Sequence, residues 1–193
     1  MSEDPKLFDA GDYNLFRYCH NDPIDFTDPM GLAPIEVPED VDAVSRYGLD
    51  VLHREALSSG DGYERATSTG RENGKVFLSK EREIGKGTPY GKQKVSIPAP
   101  KPGSGKEPQS GLHVHRNDIQ HDANDNQVQK GSLSTKADRN WADTVKKAIY
   151  TENESGNIKE RYRPDDTKAG AGIIERWNNT HRQWEEIPLP KMP

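Results

Sequence analysis

The five residues GLHVH, 111–115, constrain the fold more than any other stretch, because apolar residues and histidines alternate along them. Successive side chains of an extended strand point to opposite faces of a sheet. The alternation therefore predicts a strand with Leu112 and Val114 on one face. His113 and His115 then share the opposite face. Such a strand packs on a core through one face and carries a polar site on the other.

Two histidines on one face of a strand can bind a single metal ion. Residues i and i+2 lie about 6.5 to 7 Å apart along the backbone. Imidazoles at that separation can converge on an ion with Zn–N bonds of about 2.0 to 2.1 Å. A catalytic zinc site also needs a third protein ligand, an open position for water and a carboxylate as general base. The nearby candidates for the third ligand are Asp118, His121, Asp122, Asp125 and Asp138.

The composition limits the core and the kinds of partner. The chain has 193 residues, of which 31% are hydrophobic and 31% charged, so we expect one domain with a small core and sizeable loops or tails. The net charge of -5 provides no basic field for phosphates. This argues against a nucleic-acid partner without excluding one. The single cysteine, Cys19, excludes an internal disulfide and a cysteine-based zinc site.

The sequence shows neither a targeting signal nor a membrane span. Its start, MSEDPKLFDAGDYN, is acidic and polar, unlike a signal peptide. No apolar run approaches the roughly 20 residues that cross a bilayer. We therefore expect no membrane contact, and we expect export to depend on something outside this sequence.

Periodicity and turn residues predict an α+β fold. Apolar spacing predicts a helix with Asp42 as a possible N-cap and Gly60 as its end. The stretch STKADRNWADTVKKAIYT predicts a second helix, capped by Ser134 or Thr135. The segments GKVFLS and KQKVSIP predict short strands. Two hairpins are predicted at the turn residues Ser155-Gly156-Asn157 and Asn178-Asn179-Thr180.

Residues 11–32 are dense in turn formers and predict short extended pieces joined by tight turns. They contain NLFRY, then NDP, then DPMGL. These elements resemble, in order and spacing, the end of the core of Rhs/YD-repeat proteins. In that family the core forms a shell, and a variable C-terminal domain follows, usually a toxin. Many members cut themselves after the leucine, which here is Leu32 in the element that begins with Asp28.

The Rhs resemblance implies a domain organisation and a biological setting. Residues 1–32 would be the extended tail of the core, 33–41 a linker and 42–193 the toxin domain. The partners would be the rest of the Rhs shell and a cognate immunity protein. The toxin would be secreted as part of a larger Rhs protein through a dedicated secretion system and would act in the target-cell cytoplasm.

The stretch GLHVH, followed by LSTKADRNWAD, resembles the JAB/MPN (JAMM) metalloprotease signature. It is most similar to the JAB-like domains at the C-termini of Rhs-type toxins. That signature has His-x-His at a strand end, Ser-x-x-Asp at a helix start and a glutamate from an upstream strand. The resemblance covers about residues 42–166 and implies a mixed β-sheet flanked by helices. It also implies a hydrolase that cleaves amide or isopeptide bonds in a protein substrate with one zinc ion.

The site residues of that family match positions of this chain. The resemblance implies that His113, His115 and Asp138 bind the zinc ion. Thr135 stands where the family has serine, three residues before the aspartate, and Ser134 is its neighbour. One of these two hydroxyls would donate to the developing oxyanion.

The glutamate of the signature and two departures from it complete the comparison. The stretch RENGKVFL is similar to the strand that carries the family's glutamate, which implies Glu72 as the general base. Arg116 follows the second histidine, where the family usually has proline or glycine. The connection from His115 to the Thr-x-x-Asp element is also longer than in peptidases of the group.

Two other functions also fit the sequence. A metal-dependent nuclease toxin would use His121 with Asp122 or Asp125 as ligands. A catalytically inactive JAB-like domain would act only by binding a protein. The residues that bind metal, if any do, distinguish the three.

Overall fold

The part of the chain that the computed structural model describes consists of four segments: 35–101, 107–116, 133–165 and 171–187. The predicted Rhs tail over 1–32, with Asp28 and Leu32, lies outside the described residues. So does the polar stretch that holds His121, Asp122 and Asp125.

The described residues form an α+β structure with a mixed sheet and two helices, α1 and α2. The helices span Glu39–Ser59 and Lys136–Val145. The strands β1 to β10 are, in chain order, Arg65–Glu72, Lys75–Leu78, Glu83–Ile84, Lys86–Gly87, Gln93–Lys94, Ser110–Val114, Ile149–Glu152, Lys159–Arg163, Ile173–Asn178 and Gln183–Ile187.

The main sheet has the order β10-β9-β8-β7-β6-β1-β2, and β3 also pairs with β1. The strands β4 and β5 form a separate small pair. The pairing of β6 with β7 is parallel, whereas the other pairings are antiparallel. A parallel return needs a crossover, and here α2 lies within it. The crossover brings the start of α2 to the carboxyl end of β6.

The two helices cover opposite faces of this sheet. On the α1 side a buried cluster contains Leu49, Leu52, Leu112, Val114, Ala148 and Tyr150. On the α2 side a second cluster contains Ala142, Ile149, Tyr162 and Ile174. The predicted alternation of β6 is confirmed, because Leu112 and Val114 face α1 while His113 points the other way. The histidine face of β6 is therefore the face that α2 covers.

The predicted C-terminal end of α1 is confirmed, and the predicted N-terminal end is wrong. Gly60 ends the helix in the left-handed conformation, with φ 62°. The helix begins earlier than predicted, with Pro38 as its N-cap residue. Asp42 lies inside the first turn, where its buried carboxylate accepts hydrogen bonds from Tyr150 at 3.0 Å and Trp184 at 2.8 Å. Tertiary partners, and not a cap, therefore explain this aspartate.

Most of the predicted strands are confirmed, with one correction. GKVFLS contains β2, and the turns at 155–157 and 178–180 join β7 to β8 and β9 to β10. KQKVSIP forms only the two-residue strand β5. The rest of that segment is not a strand: Ile97 packs on the α2-side cluster, and the carbonyl of Pro98 accepts a hydrogen bond from the Ser68 hydroxyl.

Within the described residues, neither helix has an apolar run that could span a bilayer.

Candidate metal centre

His113 and His115 lie side by side at the carboxyl end of β6. The backbone N–H of His115 donates to the carbonyl of Glu152 on β7 at 2.9 Å, which continues the strand pairing past Val114. The two imidazoles therefore point to the same side of the sheet. Their Nε2 atoms are 2.8 Å apart, and both residues are buried.

Asp138 reaches the same place from the first turn of α2. Thr135 is the N-cap residue of that helix, and the two residues form a capping box. Oδ2 of Asp138 accepts bonds from the backbone N–H and the hydroxyl of Thr135, both at 2.7 Å. Its other oxygen, Oδ1, lies 3.4 Å from Nδ1 of His113. The crossover from β6 to β7 thus places the start of α2 beside the end of β6.

The three predicted ligands converge. His113, His115 and Asp138 are all buried, and each offers one ligand atom within 4.8 Å of the others. Ligand atoms of a tetrahedral zinc ion, with bonds of about 2.0 to 2.1 Å, are about 3.3 Å apart. The three donor atoms, all within 4.8 Å of one another, are therefore close to the spacing of a zinc site but not yet at it. The cluster can hold a metal ion.

A second carboxylate, which sequence reasoning missed, completes the cluster. The register of β1 against β6 pairs Ala66 with His113. Glu64 therefore falls opposite His115 on the same face, where its Oε1 lies 3.7 Å from Nδ1 of that histidine. Glu64 is only 6% exposed. The four side chains form a chain of contacts in the order Glu64, His115, His113, Asp138.

Glu72, the glutamate expected at this site, is not brought to it. It lies at the far end of β1, paired with Lys75 across a hairpin whose turn residues are Asn73 and Gly74. Six residues of strand separate it from the position opposite His113, which is about 20 Å. The stretch RENGKVFL therefore forms the β1–β2 hairpin and lies away from the site. Glu64 stands two residues before the buried Ala66 and so shares its face of the strand. This places it at the site only once the pairing of β1 with β6 is known.

The charges of this cluster favour a divalent cation. Glu64 and Asp138 each bring a carboxylate to a site where all four side chains are at most 11% exposed. The close Nε2 contact leaves room for one hydrogen between the imidazoles, so protonation adds at most one positive charge to His113 and His115. A divalent ion would neutralise both carboxylates, with both imidazoles as its ligands, which is the pairing that a buried charge requires. The donor set therefore fits a metal ion.

The segment before α2 is fastened to the sheet. The backbone N–H of Leu133 donates to Oε2 of the fully buried Glu160 on β8 at 2.6 Å. The other oxygen of Glu160 pairs with Arg176 at 2.6 Å. These bonds hold Ser134 and Thr135 beside Asp138. Both predicted hydroxyl residues are thus at the start of the helix, and Ser134 is only 2% exposed.

Arg116 follows the histidine pair and leaves the metal ligands clear. Alternation turns it toward the face opposite His115, where it is buried. Its Nη2 lies 3.3 Å from the hydroxyl of Tyr90 and 3.7 Å from Oε1 of Glu154. The basic residue that departs from the family signature is therefore compatible with the cluster.

No protein-family model, curated protein or solved structure matches this chain.

Proposed function

We propose that this chain carries a zinc-dependent amide hydrolase domain of the JAB/MPN (JAMM) type. The observation that carries the proposal is the convergence of His113, His115 and Asp138, with Glu64 beside them. A carboxylate at the start of a strand, His-x-His at the end of the neighbouring strand and Thr-x-x-Asp at a helix start follow the order of that signature. The mixed sheet between two helices is consistent with it.

The donor set is of the kind that zinc accepts at catalytic sites. Two imidazole nitrogens and one carboxylate oxygen provide three protein ligands and leave a fourth position open. A zinc ion bound there would supply Lewis acidity and make a water nucleophilic near neutral pH.

The side chains around these ligands have distinct roles in hydrolysis of an amide. Glu64 takes a proton from the attacking water, whose oxygen bonds to the carbonyl carbon. Glu64 then gives that proton to the leaving nitrogen as the C–N bond breaks. Ser134, next to the helix cap, is the hydroxyl that donates to the developing oxyanion. In this scheme Glu64 takes the role that the sequence had assigned to Glu72.

The biological setting that we propose is the C-terminal toxin of an Rhs protein. The support is the motif series in residues 11–32, which precedes the domain as a core tail precedes a toxin. The substrate is then a protein in the cytoplasm of a target cell, and the chain is exported with the Rhs shell. A cognate immunity protein protects the producing cell.

Metal analysis of the purified chain and three variants tests the proposal. The wild type should bind about one zinc ion, and His113→Ala should bind none. Glu64→Gln should keep the metal but lose activity, since a general base is not a ligand. Glu72→Gln is the matched control, a glutamate at the opposite end of β1 whose loss should change neither. Activity is read as new amino groups that the zinc-loaded chain creates in a bacterial lysate, by amine labelling and mass spectrometry.

Other outcomes point to the alternative functions. Cleavage of DNA or RNA that survives His113→Ala but is lost in His121→Ala would establish the nuclease instead. A wild type that binds no metal would leave a binding domain without catalysis.

A further inference from the structure

The hydroxyl of Thr135 has one proton, and the structure shows where it goes. Oγ1 donates to Oδ2 of Asp138 at 2.7 Å and accepts from the backbone N–H of the same residue at 3.3 Å. A hydroxyl offers one donor and two acceptor positions. The single hydroxyl proton of Thr135 is therefore donated to the Asp138 carboxylate.

The consequence is an orientation of the Asp138 carboxylate. Oδ2 holds two short bonds, from the backbone N–H and from the hydroxyl of Thr135. Oδ1 is thereby turned toward His113, at 3.4 Å from Nδ1. Without these bonds the carboxylate could rotate about its terminal torsion, which is broad.

We propose that Thr135 is a positioning residue, which holds Asp138 in the orientation that binds metal and is not the donor to the substrate oxyanion. The inference rests on the proposed metal centre. It assigns Thr135 a different task from the one that the family resemblance implies for its serine, and it leaves Ser134 as the hydroxyl for the oxyanion. Residues that orient a ligand in this way usually change metal affinity 10- to 100-fold (about one to two orders of magnitude) when they are replaced.

A plain helix cap is the competing explanation of the same contacts. A cap works as an acceptor for the backbone N–H of Asp138, whereas positioning works through the donated proton. Glycine is nearly as good as threonine at an N-cap, but it has no hydroxyl. Serine keeps both functions. The pair Thr135→Gly and Thr135→Ser therefore separates capping from positioning.

The experiment measures zinc affinity of the full chain by competition with a chromophoric chelator, beside thermal unfolding without metal. We expect Thr135→Ser to bind zinc within about threefold of the wild type. Thr135→Gly should bind about 10- to 100-fold more weakly, while its metal-free Tm changes by no more than about 3 °C. If the glycine variant does not fold, Thr135→Ala replaces it. This variant lacks both the hydroxyl and the helix cap.

Each outcome decides one of the two proposals. Wild-type affinity in Thr135→Gly or Thr135→Ala would overturn the positioning role while leaving the metal centre in place. Equal losses in the serine and glycine variants would also overturn it, because the hydroxyl would then not be the cause. A wild type that binds no zinc would overturn the metal centre itself.

Discussion

Glu152 makes the stability of the domain depend on pH in an unusual direction. It lies on β7 with 1% exposure, and its backbone carbonyl accepts the N–H of His115. Burial raises the pKa of its side chain from 4.5 to about 7, although the charge of Lys159 opposes the rise. Lys159 contacts Oε1 at 3.2 Å. Within the described residues, Oε2 has no hydrogen-bond partner.

The sign of the effect follows from linkage. The folded state binds this proton more tightly than the unfolded state does, so stability is lost as the pH rises from about 4.5 to about 7. A pKa difference of this size corresponds to about 3 kcal/mol. Glu152→Gln removes the ionisation and with it the charge interaction with Lys159, which keeps its ion pair with Asp50 at 2.7 Å. We therefore expect the variant to gain about 1 to 3 kcal/mol over the wild type on going from pH 5 to pH 8.

Urea unfolding of the metal-free chain and the variant at several pH values between about 5 and 8 measures this gain. Glu186→Gln, at an exposed position of β10, is the control and should follow the wild type at every pH. A difference between Glu152→Gln and the wild type that stays constant across this range would refute the reasoning. So would a variant that loses stability relative to the wild type as the pH rises.

Three further predictions concern metal, processing and toxicity. Zinc occupancy should fall as the pH drops through about 6, because the imidazoles must be neutral, and metal analysis after dialysis at each pH checks this. On the proposed Rhs assignment, the full-length protein should release a fragment beginning at Ala33, and amino-terminal sequencing that places the cut far from Leu32 would contradict it. Expression of residues 33–193 in bacterial cytoplasm should arrest growth unless a small protein encoded beside the gene is co-expressed. His113→Ala should be harmless, and a toxic folded variant would count against the metal mechanism.

The parts of the site that the sequence predicts are those fixed by local chemistry. The alternation of residues 112–115 determines which side chains share a face, and it needs only the geometry of one strand. Thr135 and Asp138 are three positions apart at a helix start, where a capping box is determined by backbone N–H groups within the same turn. The predicted alternation is confirmed, and of the two predicted caps, Ser134 and Thr135, the structure has Thr135.

The parts that the sequence could not predict depend on contacts between distant segments. Glu64 belongs to the site only through the register of β1 against β6, and that strand is mostly polar, with Ala66 as its one apolar residue. The sequence pattern predicts Asp42 as an N-cap, yet its carboxylate accepts hydrogen bonds from Tyr150 and Trp184. In both cases the buried polar side chain contacts residues far away in the sequence. The residues next to it in the chain therefore do not indicate its partner.

The hydrogen bonds that hold both ends of the β6–α2 connection have a consequence for how its sequence can vary. His115 is held by the carbonyl of Glu152, and Leu133 by the carboxylate of Glu160. Both attachments are made by residues outside the stretch 117–132. The positions of the end of β6 and the start of α2 therefore depend on contacts with β7 and β8. A change of sequence within 117–132 removes neither of these contacts.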